Sequence, residues 1–114
     1  MKDYRDVINK VDQVVNNYFK CELTNGDALN EYLKLISSCL YYLESVRSDF
    51  HSKWQSKVKE KIDEGFAVSR AENIAYVEFP EMYELRRIMT SGYKIQDAIR
   101  TNISYLKQEK NNSN

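Results

Sequence analysis

The sequence predicts an all-α protein, an elongated antiparallel helical bundle of three to four helices with one very long central helix. Three observations carry this reading. Apolar residues recur at three- and four-residue spacing over most of the chain. Only three glycines and one proline occur in 114 residues, too little turn-forming material for a many-stranded sheet. From Ala28 to Glu64 neither residue type interrupts the chain, which leaves room for ~37 residues and ~55 Å of continuous helix. The length suits a single domain, expected over residues 1–107, with 108–114 as a disordered polar tail.

The first helix is read from residues 4 to 19, where Tyr4, Ile8, Val11, Val15 and Tyr18 form one stripe and Val7, Val14 and Phe19 widen it. Asn25-Gly26 then makes a turn, and Asp27 is the expected N-cap of the next helix, with Thr24 as the alternative. The long second helix carries Leu29, Leu33, Ile36, Leu40, Leu43, Val46, Phe50, Trp54, Val58 and Ile62. Its stripe drifts around the helix after Val46 and thins into lysines; a bend within residues 48–52 is allowed but nothing demands one. Gly65 is the expected C-terminal cap, and Ser69-Arg70-Ala71-Glu72 has the form of a capping box opening a third helix that runs to about Glu78. Pro80 is expected to kink or briefly break the chain. The last helix then turns Met82, Leu85, Met89, Ile95, Ile99, Ile103 and Leu106 inward.

Composition excludes more than it suggests. Seventeen basic residues balance seventeen acidic ones, so any electrostatic preference must come from local clustering. The charged opening "MKDYRDVINK" lacks the apolar run of a signal peptide, and no window approaches the ~20 apolar residues that span a bilayer; a soluble intracellular protein is expected. Cys21 and Cys39 lack metal-ligand spacing and read as buried or half-buried thiols. No metal or cofactor is expected. There is no phosphate-binding glycine loop and no nucleophile elbow, and a single histidine, His51, rules out sites that need two imidazoles. Paired carboxylates such as Asp63-Glu64 and Glu81-Glu84 read as solvated surface. The chain is not expected to be an enzyme.

One stretch stands out: "HSKWQSKVKEKIDEG", residues 51–65, holds four lysines and the only tryptophan and histidine. Lys53, Lys57 and Lys61 follow an i, i+4, i+8 path along one helix face, with Trp54 beside it and Lys59 offset. Arg86 and Arg87 form a second basic group in the last helix, near Tyr83 and Tyr93, and an antiparallel arrangement lets the two groups approach each other. Cations interleaved with aromatic rings are what single-stranded nucleic acid requires. The competing reading is a solvated helix face, with Trp54 in the core and the tyrosines on the rim. Phe50 and Trp54 lie where the first helix is expected to have run out, so either the same chain folds back over them or a second subunit covers them; homo-oligomerisation is expected, with Phe50, Trp54, Val58 and Ile62 as its interface.

The segment "SRAENIAYVEFPEMYELRRIMTSGYKIQDAIRTNISYLKQEK" resembles the C-terminal halves of small helical phage recombination-mediator proteins of the UvsY type. The matching features are Ala71-Glu72, Tyr83-Glu84-Leu85 and the amphipathic run from Ile95 to Lys107. The resemblance covers roughly residues 51–107 and leaves the first helix without a counterpart. It implies a homo-oligomer in the cytoplasm of a bacterial host cell that binds single-stranded DNA and helps load a recombinase onto strands coated by a single-strand-binding protein. Lys53, Lys57, Lys59, Lys61, Arg86 and Arg87 would then neutralise phosphates, and Trp54 would stack on a base or sit between subunits. The zero net charge departs from that pattern. Two further readings stand beside it. One is a protein-binding module that inhibits or adapts a host protein, using the tyrosines and Asp27, Glu31, Glu78, Glu81 and Glu84. The other is a purely structural assembly protein.

Overall fold

The computed structural model describes residues 3–112, which form four helices: α1 (Tyr4–Lys20), α2 (Gly26–Asp63), α3 (Val68–Glu78) and α4 (Glu81–Asn112). Residues 1–2 and 113–114 lie outside the described residues. The segment from 108 to 112, expected as tail, continues α4. No helix among the described residues is long and apolar enough to cross a membrane.

Local signals explain where each helix begins and ends. The Asp3 carboxylate accepts the Arg5 N–H at 3.0 Å and caps α1. The cap of α2 is Asn25, whose side-chain oxygen accepts the Ala28 N–H at 3.1 Å, not Asp27 or Thr24. Asn25 stands three residues before that N–H, the ideal reach for an N-cap. Asp27 falls within the first turn, where its charge meets the positive end of the helix dipole. α2 runs unbroken through residues 48–52. It ends in a Schellman turn: Gly65 takes φ 103°, its N–H donates to the Ile62 carbonyl at 2.9 Å, and the Phe66 N–H donates to the Lys61 carbonyl at 3.1 Å.

The capping box does not form. Ala67 is the N-cap of α3 and offers no side-chain acceptor, and Ser69 already lies within the first turn. The tight Schellman turn delivers the chain to Ala67 in an extended conformation, ready for the helix two residues earlier than the sequence suggests, and the Ala71 N–H donates to the Ala67 carbonyl at 2.9 Å. Pro80 produces a short break. Phe79, excluded from helical geometry by the ring that follows it, adopts φ −121°, ψ 67°, and the Pro80 carbonyl then accepts the Tyr83 and Glu84 N–H groups at 3.1 and 3.3 Å as α4 starts.

The helices pack into a rod of 70 × 28 × 20 Å with a radius of gyration of 19.0 Å, against about 13 Å for a compact domain of this length. α1 runs antiparallel to α2, placing Tyr4 edge-on to Phe50 at 5.6 Å. α3 and α4 run one after the other back along α2, so that Trp54 meets Tyr76, Glu44 meets Tyr93 and Ser37 meets Gln96. Alongside residues 29–50 of α2 there are therefore three helices; beyond Trp54 only α2 and α3 remain. The core follows this division. Val11, Leu29, Ile36, Leu40, Leu43, Leu85, Ile88 and Ile99 are at most 1% exposed, and at the thin end Ala71 and Ala75 let α3 sit close on α2. Phe19, expected to widen the α1 face, is 73% exposed, since it lies in the last turn beside the loop where the broad packing face has ended. Phe50 also departs from expectation: α1 reaches it through Tyr4.

Gly92 sits at the centre of the three-helix part. A Cβ there would lie 2.9 Å from a Leu40 methyl on α2 and 3.3 Å from a Val11 methyl on α1, so the absence of a side chain lets three backbones converge. Polar contacts set the register around it: the buried Gln96 amide donates to the Ser37 hydroxyl at 2.9 Å, and the Asn102 amide donates to the Tyr18 hydroxyl. Substituting Gly92→Val is expected to overpack this point and lower stability by about 1–3 kcal/mol, whereas Gly26→Ala, whose Cβ meets only ordinary contact with Leu106 at 3.7 Å, should change stability much less. Urea unfolding followed by circular dichroism checks both.

Candidate functional site

Where three helices give way to two, the surface opens. Leu40 and Leu43 of α2 point into the core, but the same stripe continues as Arg47, His51 and Trp54, which face the break at Pro80. A cleft of about 660 Å³ lies there, lined by Arg47, His51, Tyr76, Met82, Tyr83 and Arg86. It merges through Tyr83 and Arg86 with a hollow that adds Arg87 and Thr90, and through Tyr76 and Tyr83 with one that adds Val77, Pro80 and Glu84. The rings are accessible, with Tyr83 71% and Tyr76 42% exposed. Arg86 and Arg87 are exposed and make no ion pair among the described residues. Arg47 lies 3.6 Å from Glu44, a loose, exposed pair that holds it weakly.

The lysine stretch is organised differently from its sequence reading. Lys57 bridges Glu78 at 3.0 Å and Glu60 at 3.5 Å, which raises its pKa above the ordinary lysine value, chiefly through the hydrogen bond to Glu78. Lys61 pairs with Glu64 at 3.0 Å and lies over the Phe66 ring. Both side chains are only 21% exposed, so these two cations tie α2 to α3 and to the turn between them and are already neutralised. Lys53 lies over the Phe50 ring at 5.5 Å. Lys59 is exposed, on the rim of a separate groove.

Among the residues predicted to contact a nucleic acid, the structure thus brings Arg86 and Arg87 into the cleft and leaves Lys53, Lys57, Lys59 and Lys61 outside it. Trp54 stands at the cleft's edge, half-buried between His51 at 5.7 Å and Tyr76 at 5.1 Å, and its indole N–H has no acceptor among the described residues. Arg47 was not singled out by sequence reasoning; the available signal was a cation standing on the core stripe four residues after Leu43. Of the predicted interface residues, Phe50 is covered by Tyr4, Val58 is half-buried and Ile62 is 39% exposed. No group of three or more metal-ligating side chains occurs among the described residues. The chain matches no protein-family model, no curated protein and no solved structure.

At the other end of the cleft the Tyr93 hydroxyl donates to Glu44 at 2.7 Å. Desolvation first, and then this bond and the charge of Glu44, push the phenol above the ordinary tyrosine pKa of 10.0, with Arg47 pulling the other way. Because the folded pKa is the higher one, the contribution to stability is complete below pH 10.0 and is lost as pH rises through the folded value. Tyr93→Phe is therefore expected to cost about 0.5–1 kcal/mol at neutral pH, discounted for the exposure of the pair. The difference from the parent protein should shrink in alkaline solution. Denaturant titrations of both proteins at neutral and alkaline pH check this.

Proposed function

We propose that the chain binds single-stranded nucleic acid in the cleft at the Pro80 break and serves as an accessory protein in phage-type DNA recombination or replication. The observation that supports it best is the pair of unneutralised guanidiniums, Arg86 and Arg87, beside the exposed rings of Tyr76 and Tyr83. Guanidiniums take phosphate oxygens in bidentate fashion, and flat rings stack on bases, which only an unpaired strand offers. Arg47 adds a third cation on the opposite wall. The resemblance of residues 51–107 to recombination mediators extends this reading to a role in handing strands to a recombinase in competition with a single-strand-binding protein. With zero net charge overall, attraction is confined to the cleft and affinity is expected to be moderate.

A second reading has its own support. Val77 is 82% exposed beside Pro80 and Tyr83, an apolar lip suited to a protein surface such as that of a host enzyme. The acidic residues considered for that role do not form one face: Glu78 is engaged by Lys57, and Asp27 and Glu31 lie at the far end of α2.

Fluorescence anisotropy of a labelled single-stranded oligonucleotide, measured across a salt series, separates the readings. Binding is expected to weaken with salt. Arg86→Ala should lower the slope by about 0.7, the single-strand value for one released phosphate contact, and Tyr83→Ala should cost ~1–3 kcal/mol. Lys57→Ala should have little effect. Absence of salt-sensitive binding at micromolar protein would remove the nucleic-acid reading and leave the protein-binding one.

A further inference from the structure

Independently of any nucleic acid, we infer that the thin end of the rod pairs with a second copy of this chain through the groove between α2 and α3. The groove is lined by Trp54, Gln55, Val58, Lys59, Ile62 and Glu72. Its floor is apolar. Ile62 is 39% exposed, and Val68, one turn before Glu72 on α3, is 57% exposed.

Two observations identify the occupant. The chain exposes 8017 Å², roughly 1,500 Å² more than a compact monomer of this size. A standard interface needs about 800 Å² from each partner, so the excess produced by the rod shape is enough to supply one. The groove's charges are also self-complementary. Lys59 stands on the α2 rim and Glu72 on the α3 rim, and neither forms an ion pair among the described residues. An isologous arrangement with α2 of each copy over α3 of the other sets Lys59 against Glu72 twice and completes a four-helix bundle where one chain supplies only two helices. A nucleic acid would find only one cation here opposed by a carboxylate, and an unrelated partner has no reason to match both rims.

Phe50 takes no part, because Tyr4 covers it. The interface consists of Val58, Ile62 and the outer edge of Trp54, framed by Lys59 and Glu72.

Sedimentation equilibrium over a range reaching roughly 100 µM protein, without nucleic acid, tests the pairing. The expected result is a reversible monomer–dimer equilibrium. Ile62→Glu should abolish it while leaving the circular dichroism spectrum unchanged, since at 39% exposure the side chain can turn its carboxylate to water. Lys59→Glu should weaken association about tenfold, and combining it with Glu72→Lys should restore it. A parent protein that remains monomeric throughout overturns the inference. So does a dimer unaffected by Ile62→Glu, or a double variant no tighter than Lys59→Glu alone.

Discussion

The length of α2 is the constraint on which the rest of the structure depends. Thirty-eight residues make a rod of ~57 Å, whereas the 17 residues of α1 cover only ~25 Å of it. α3 and α4 together are long enough to follow α2 from end to end, so one flank is always covered and the other only halfway. This mismatch divides the molecule into a three-helix part with a dense core and a two-helix extension held by small residues and ion pairs. The change occurs within one turn, between Phe50, which meets Tyr4, and Trp54, which meets Tyr76.

The Pro80 break falls at the same level, and the two discontinuities together make the cleft. A continuous helix from Val68 to Asn112 would lie over Arg47 and His51 and close the space between them. Because Phe79 cannot stay helical before proline, α4 restarts on a new course, and a stripe that is apolar on either side of the gap carries an arginine and a histidine within it. A cation at that position is tolerable because the gap is open to water. The same gap leaves Tyr76 and Tyr83 with free ring surface.

The distribution of ion pairs assigns different work to the two basic groups. Lys57, which bridges Glu60 and Glu78, and Lys61, which pairs with Glu64 at the turn, compensate for the scant apolar contact of a two-helix hairpin. Arg86 and Arg87 form no ion pair among the described residues. A neutral chain can thus keep a small cationic surface without a cationic field around the whole molecule. The thin end, in turn, has a groove whose two rims carry one charge of each sign.

The helical class, the unbroken α2, the Gly65 cap and most inward residues of α4 were legible in the sequence, because periodicity and glycine placement act over a few residues and need no knowledge of neighbours; Met82, expected inward, instead lines the cleft, and the fully buried Ile88 was missed. The Asn25 cap and the start of α3 at Val68 were misplaced by one or two residues, since several side chains competed for each and the geometry of the preceding turn chose between them. Gly92 reads in the sequence as an unremarked glycine inside a helix; only the convergence of Val11 and Leu40 upon it gives it a reason. The site shows the same limit most clearly. Sequence counts the lysines of residues 51–65 as free cations, because whether a charge is neutralised depends on what a helix twenty residues later sets beside it. Local chemistry by itself determined which segments are helices and which faces are apolar. Only the packing of α3 and α4 against a longer α2 decided which cations stay unpaired, which rings stay open and which apolar edge stays uncovered, since those properties belong to pairs of surfaces.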